Sequence, residues 1–389
     1  MTKKKLTPPL SKGGAGKIIV AMSGGVDSSV AAFMLKEQGY EVMGIFLHFW
    51  KDGISEVENK CCSNKALMDA RQVCQKLGIP LYTLNFKNDF KKQVVDYFLD
   101  EYKVGNTPNP CVTCNKFVKL GLLIKRAREM GFDYVASGHY VNVECRMKNE
   151  ECEYKLLKAK DKKKDQSYFL YTLNQEQLAH LLFPLGNYTK TEVRKIAKKN
   201  KLLVYEKSES QEICFIPEKS HNEFLKRHLK LKSGPIEEIL PLSKGETQRG
   251  LRKVGSHKGL PLYTIGQRKG VEIGGIGPFY VAKTDYKTNT LYVVKDKDDP
   301  VLYSDKLIAE NVNWVGGVRP RMPLKCKAVI RYRSQAVDCE IKPLLNPTLA
   351  KGRERLYQIR FKKPQRAVTS GQSVVLYKGN EILGGGVIK

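Results

Sequence analysis

The stretch KIIVAMSGGVDSSVAAFMLKEQG, residues 17–39, changes its hydrophobic period in the middle. KIIVAM (17–22) is a continuous apolar run of strand length, whereas VDSSVAAFMLKEQG (26–39) has helical spacing and stops on Gly39. The glycines between them allow a tight turn and a close approach of backbone to a ligand. The helix that follows presents unsatisfied N–H groups and the positive end of its dipole, which together form a phosphate site. Ser23, Ser28 and Ser29 add hydroxyl donors. Asp27 would repel a phosphate unless a cation sat between them, so it is a candidate Mg2+ partner. The pattern is neither a Walker A loop nor GxGxxG, because it lacks the lysine and the third glycine.

Outward from this stretch, strand and helix alternate. EVMGIFLHF (41–49), LYTLNF (81–86) and DYVASGHY (133–140) read as strands. Helices are expected over 63–78, with Ser63 as N-cap and Gly78 near the end, over 90–105, and over about 116–130. The fold class is therefore α/β: an open parallel sheet with helices on both faces. Near residue 145 the texture turns polar, and ECRMKNEECEYKLLKAKDKKKDQS reads as a hairpin or flexible loop. Helical segments follow around 174–182 and 189–200, then an irregular connector at 205–217. From about 240, Gly-rich turns and short alternating strands indicate a small β-barrel. The expected partition is 1–207 for a nucleotide-binding catalytic domain, with 1–16 as a disordered basic tail, 208–277 for a central domain, and 278–389 for the barrel.

The 389 residues carry 68 Lys and Arg against 40 Asp and Glu, a formal charge of +28. Such an excess points to a polyanionic partner, nucleic acid or a membrane surface, against the plainer reading of a lysine-rich genome. No apolar run approaches the roughly 20 residues of a membrane span, and the N-terminus lacks the apolar core of a signal peptide. A cytoplasmic protein without a membrane partner is expected. The ten cysteines, scattered with no export signal, then read as reduced thiols.

NPCVTCNK (109–116) holds the one CxxC. Zinc wants four ligands, and the adjacent Cys61 and Cys62 are poorly suited to complete the set. A redox pair would leave the phosphate loop unexplained. Cys214, in SESQEICFIP, follows a polar segment and reads as a reactive loop thiol, against a core cysteine beside Ile213 and Phe215. Lysines such as Lys116 are candidates to lower the thiol pKa at Cys114.

SGGxDS after a strand resembles the PP-loop of ATP pyrophosphatases. MSGGVDSSV, GNTPNPCVTCNKFVKLG, ASGHYV, KDQSYFLY, FPLGNYTKTEVRKIA, SQEICFI, LYTIGQRKG and RYRSQ, in that order, resemble the tRNA-specific 2-thiouridylases of the MnmA/TrmU family. The resemblance implies a three-part chain that uses ATP and Mg2+ to adenylate O2 of the wobble uridine. Sulfur then replaces AMP at C2. It implies ATP contacts at Ala21, Met22, Ser23, Gly24, Gly25, Val26, Asp27, Ser28, Leu47 and Gly138. Cys114 and Cys214 inherit the catalytic roles, Cys214 as the persulfide carrier. Asn109, Pro110 and Cys111 would line the extruded base, with His139 near it. Lys164, Asp165, Gln166, Arg331, Tyr332 and Gln372 would touch tRNA. Partners implied are tRNAs for Lys, Glu and Gln and a sulfur-donor protein, either a cysteine desulfurase or a relay protein. Cys111, Cys114 and Cys214 are equally candidate ligands of a [4Fe–4S] cluster, and the sequence leaves persulfide and cluster open. Another PP-loop enzyme that adenylates tRNA, or a non-catalytic basic RNA-binding protein, are the alternatives. Neither accounts for Gly24, Gly25, Asp27, Cys114 and Cys214 together.

Overall fold

The computed structural model describes residues 16–53, 63–148, 151–208, 213–216, 221–242, 247–271, 273, 278–344 and 356–389. The basic tail and Cys61–Cys62 lie outside these residues. Strand β1 (Lys17–Met22) runs into helix α1 (Val26–Glu37), and β2 (Glu41–His48) follows. Helix α2 (Asn64–Leu77) starts on Ser63, whose side chain accepts the Ala66 N–H, and stops on Gly78 in the left-handed conformation. β3 (Leu81–Asn85), β4 (Tyr134–Ala136) and β7 (Leu181–Leu182) complete a parallel sheet in the order β3-β2-β1-β4-β7. One large core covers a face of this sheet through Ile19, Ile45 and Val135, and a second covers the other through Ile18, Val20 and Phe46. That sandwich is the expected α/β layer. The order reverses between β1 and β4, so their C-terminal ends open a crevice of the kind in which such sheets bind ligands.

Two helices pack on the first core. Helix α3 (87–103) has π-helical middle turns, Lys91–Asp96. Helix α4 (110–129) starts at Pro110, six residues earlier than the sequence pattern suggested, and is π-helical over Cys114–Leu122. Pro110 at the first turn explains the early start, because its missing N–H has no partner to lose there. The CxxC therefore lies on the helix rather than ahead of it.

The polar stretch near 145 is a hairpin, β5 (Asn142–Lys148) and β6 (Glu151–Leu157). Cys145 and Cys152 are joined there by a disulfide, so the expectation that every thiol is reduced fails at this pair. Helices α5 (Gln175–Ala179), α6 (Lys190–Lys199) and α7 (His221–His228) precede a central sheet. That sheet has the order β10-β11-β8-β9, from β8 (Gly234–Ile239), β9 (Leu251–His257), β10 (Tyr280–Asp285) and β11 (Thr290–Val294). The boundary expected at 277/278 falls inside it, because β11 pairs parallel with β8.

The remaining strands are β12 (Tyr303–Trp314), β13 (Leu324–Val329), β14 (Val337–Pro343), β15 (Tyr357–Arg366), β16 (Ser373–Lys378) and β17 (Glu381–Ile388). They run β12-β15-β14-β13-β16-β17, and β17 pairs back to β12, which closes a barrel. Through β17 the barrel also takes in β6, so the hairpin at 142–157 extends its wall. Asn313 of β12 fastens the two halves by donating to the carbonyls of Tyr171 (2.7 Å) and Leu173 (3.0 Å). Among the described residues no helix is long and apolar enough to cross a membrane.

Gly24 has a φ of +67°, and a Cβ there would overlap the Ala66 carbonyl of α2. Gly39 also has a positive φ, +86°, but nothing lies within 4 Å. Gly39→Ala should therefore cost only the backbone strain, about 1 kcal/mol, and Gly24→Ala about 1–3 kcal/mol more. Thermal denaturation of the two variants measures the difference.

Candidate active site

The phosphate loop is built from its own side chains. Ser28 Oγ accepts the Ser23 N–H (3.2 Å) and donates to the Gly25 carbonyl (3.1 Å), to which Ser29 Oγ also donates (2.9 Å). Gly25 caps α1 with extended backbone and no side-chain bond, which leaves the helix N-terminus open toward the crevice. Gly138, just past β4, lies so close that a Cβ would come to 2.8 Å from the Ser28 nitrogen. Glycine at 138 is thus what lets the first turn of α1 approach the end of β4. Ala21, Met22, Val26 and Leu47 are core positions around this loop, with Leu47 at the end of β2.

Asp27 corrects the sequence reading. Its carboxylate accepts Lys190 Nζ at 2.7 and 2.8 Å and the Tyr140 hydroxyl at 2.7 Å. The cation that offsets it is Lys190, at the start of α6, 163 residues away in the chain. With these donors in place, Asp27 does not fit as a Mg2+ ligand.

The thiols gather at the first turns of α4. Cys114 is buried, whereas Cys111 and Cys214 are half-buried, and none of the three is in a disulfide. Cys214 is held by its neighbours: Phe215 and Ile216 are buried, and the Phe215 ring lies edge-on to Phe90, Phe98 and Phe224 at 5.4–5.7 Å between centroids. This apolar anchor leaves the preceding sulfur at the edge of the core. Burial pushes the Cys111 thiol up to about 11, and the Cys214 sulfur adds to the rise. Burial also pushes the Cys114 thiol up, and the Lys119 ammonium and backbone N–H oppose it. Each of the three sulfurs therefore lies within the others' electrostatic reach. Among the described residues, however, no three His, Cys, Asp or Glu side chains gather closely enough to hold a metal ion. As placed, the thiols do not fit an iron–sulfur cluster.

The opposing cation is Lys119, not the expected Lys116, which is exposed and lies 4.8 Å over the Phe117 ring. In an α-helix a residue five positions on faces away, but the π turn closes i to i+5 and brings residue 119 under residue 114. Gly121 permits this turn, since a Cβ would overlap the Lys116 carbonyl. Helical periodicity could not have revealed Lys119.

The structure places His139 at the end of the crevice, with its ring nitrogen 2.7 Å from Ser137 Oγ. Burial, aided by Lys119, holds its pKa down to about 3. The residues expected to meet RNA are braced internally. Gln372 donates to the Thr107 carbonyl (2.7 Å), which steadies the loop ahead of Asn109 and Pro110. Arg331 donates to the Ala367 carbonyl, and Tyr332 packs on Phe169 at 4.4 Å between ring centroids. Asp165 accepts the N–H of Ala159 (3.0 Å) and the Ser167 hydroxyl (2.7 Å), and Gln166 accepts the Tyr140 N–H (2.9 Å). Lys164, half-buried, sits in the same loop. The Asn109 side chain bonds the Tyr168 phenol, whose hydroxyl donates to the Ser373 carbonyl of the barrel (2.9 Å). The barrel turn and the start of α4 are thus joined through Tyr168.

Family models match three successive parts of the chain: the tRNA methyl transferase HUP domain over 16–218, the tRNA methyl transferase PRC-barrel domain over 222–295, and the aminomethyltransferase beta-barrel domain over 304–388. The tRNA-specific 2-thiouridylase MnmA 2 of Caldanaerobacter subterraneus is 46% identical, across 96% of this chain and 98% of that one. The protein of the same name from Clostridium tetani is 44% identical over the same shares. The tRNA-specific 2-thiouridylase MnmA of Idiomarina loihiensis is 42% identical, across 96% of both chains.

His139 binds no proton in the fold until pH falls near 3, whereas the unfolded chain takes one up below about 6.5. The fold should therefore lose up to about 1.4 kcal/mol per pH unit between those values. His139→Gln should flatten this acid limb in urea titrations. Lys119→Met should slow alkylation of Cys114 at pH 8 by about tenfold, with Lys119→Arg close to the native rate. Peptide-resolved iodoacetamide labelling reads both.

Proposed function

The chain belongs to the tRNA-specific 2-thiouridylase family, and on that premise we propose that it makes 2-thiouridine at the wobble position of tRNA with ATP and a cysteine persulfide. It is a sulfurtransferase that acts on tRNA. Lys, Glu and Gln tRNAs are the proposed substrates. The observation that carries the mechanism is the convergence of Cys114 and Cys214 from distant parts of the chain, with Lys119 acting on both Cys114 and His139, the residue after the Gly138 that packs on the phosphate loop.

In the first step the α1 N-terminus and the Ser23–Ser28 loop hold the triphosphate of ATP. The uridine, extruded so that its C2 edge is accessible, loses its N3 proton, and O2 attacks the α-phosphorus. Pyrophosphate leaves. In the second step the outer sulfur of a Cys214 persulfide attacks C2 and AMP departs, which leaves sulfur bridging C2 and Cys214. The Cys114 thiolate then attacks Cys214 Sγ. The electron pair of the breaking S–S bond stays on the base as the thiocarbonyl, and Cys114–Cys214 becomes a disulfide. A thiol reductant supplies the two electrons that reopen it, and a sulfur-donor protein reloads Cys214.

Lys119 supports the reading, because a buried thiol needs an adjacent cation to ionise. Neutral His139 supports it as well, as a hydrogen-bonding wall that adds no charge beside the phosphates. Asn109, Pro110 and Cys111 form the proposed base pocket. Gln372, Arg331 and Tyr332 hold it and present their outer edges to tRNA.

Iron-free enzyme loaded with persulfide should thiolate tRNA in a single turnover with ATP. Cys214→Ser and Cys114→Ser should each cut product by at least about 10³-fold. Both should still release AMP or pyrophosphate when tRNA is present. Full thiolation by either variant, or a strict requirement for iron and labile sulfide, would overturn the persulfide route.

A further inference from the structure

Helix α6 opens a groove that the catalytic reading leaves unused. Lys190, Thr191, Arg194, Lys195, Lys198, Tyr205 and Glu206 line a cavity of about 510 Å³. At one end is Lys190, whose ammonium holds Asp27 of the phosphate loop. From Lys190 to Lys198 the helix rises about 12 Å, longer than a compact diphosphate and matched to a run of phosphates along a strand. Two acids stand by the groove: Glu192 caps the helix and pairs with Lys160 at 2.8 Å, and Glu206, in the lining, accepts a hydrogen bond from the Tyr205 hydroxyl. Arg194 is fixed by the Tyr205 and Lys207 carbonyls. Lys195 and Lys198 are exposed, with no ion pair among the described residues.

The groove is continuous with the loop at 158–166. Asp161 accepts the Lys190 N–H (2.9 Å), and the Lys160–Glu192 pair ties the same loop to the first turn of α6. That loop carries Lys164, Asp165 and Gln166. We propose that the α6 groove binds the sugar–phosphate backbone of the substrate RNA, as a continuation of the surface formed by the 158–166 loop. The proposal rests on the reading of tRNA as substrate. Lys195 and Lys198 supply mobile ammonium groups for the phosphates, Arg194 and Tyr205 form a rigid wall, and Lys190 ends the track at the catalytic crevice. A solvated basic face would not need a concave wall, nor a tether to the loop at one end.

The test uses the full chain and unmodified tRNA. Lys195→Glu/Lys198→Glu is compared with Lys92→Glu/Lys287→Glu, which changes the net charge equally at exposed sites elsewhere. Binding is followed from 50 to 300 mM salt. The groove variant should bind tRNA about tenfold or more weakly near 150 mM, with a log–log salt slope lower by about 1 to 2. Its affinity for ATP should equal that of the control. Equal tRNA affinity and slope in the two variants would overturn the groove while leaving thiolation of tRNA intact. Failure of the native chain to bind or thiolate tRNA would overturn both readings.

Discussion

The ion pair between Asp27 and Lys190 holds the catalytic half together. Lys190 is nearly buried, and Asp27 sits on the first turn of the helix that cradles phosphate. Removing one partner from such a pair leaves a charge poorly solvated, which is why partly buried pairs tolerate little displacement. The Tyr140 hydroxyl joins them, so the start of α1, the exit of β4 and the start of α6 meet at one carboxylate. Asp161 and Glu192 then fix the 158–166 loop to that junction. The carboxylate would otherwise repel the phosphates that the helix dipole attracts, and the lysine resolves the conflict within the protein.

A second constraint governs the sulfurs. A thiolate in an apolar site is costly, yet a thiol in water gives up control over which electrophile it meets. The chain settles this by sinking Cys114 into the core and bending α4 into a π turn that brings Lys119 beneath it. Cys214 arrives from the far side of the sequence, fixed by the Phe215 ring among three other aromatic rings. The barrel completes the enclosure. Its Gln372 and Ser373 reach back to Thr107, Tyr168 and Tyr171, so the C-terminal strands stabilise the loop ahead of Asn109 and Pro110.

Much of this was legible in the residues. The switch of period at 17–39, the Ser63 and Gly78 caps, and the alternation of strands and helices gave the parallel sheet, because local spacing and capping are set by near neighbours. The set of short motifs gave the family. Legibility failed where contact depends on distant segments. Asp27 read as a magnesium partner because its lysine lies 163 residues on. Lys116 read as the activating cation because α-helical spacing hides Lys119. The hairpin at 142–157 gave no sign that it would pair with the last barrel strand, more than two hundred residues later.

By itself, then, the sequence determined the α/β class, the phosphate loop and the identity of the thiols, each carried by a contiguous run of residues. Tertiary structure alone decided which charges meet which. It paired Lys190 with Asp27, turned Lys119 toward Cys114, and neutralised His139 by burial. Electrostatic free energy depends on distance and on access to water, and neither is defined until the chain has packed.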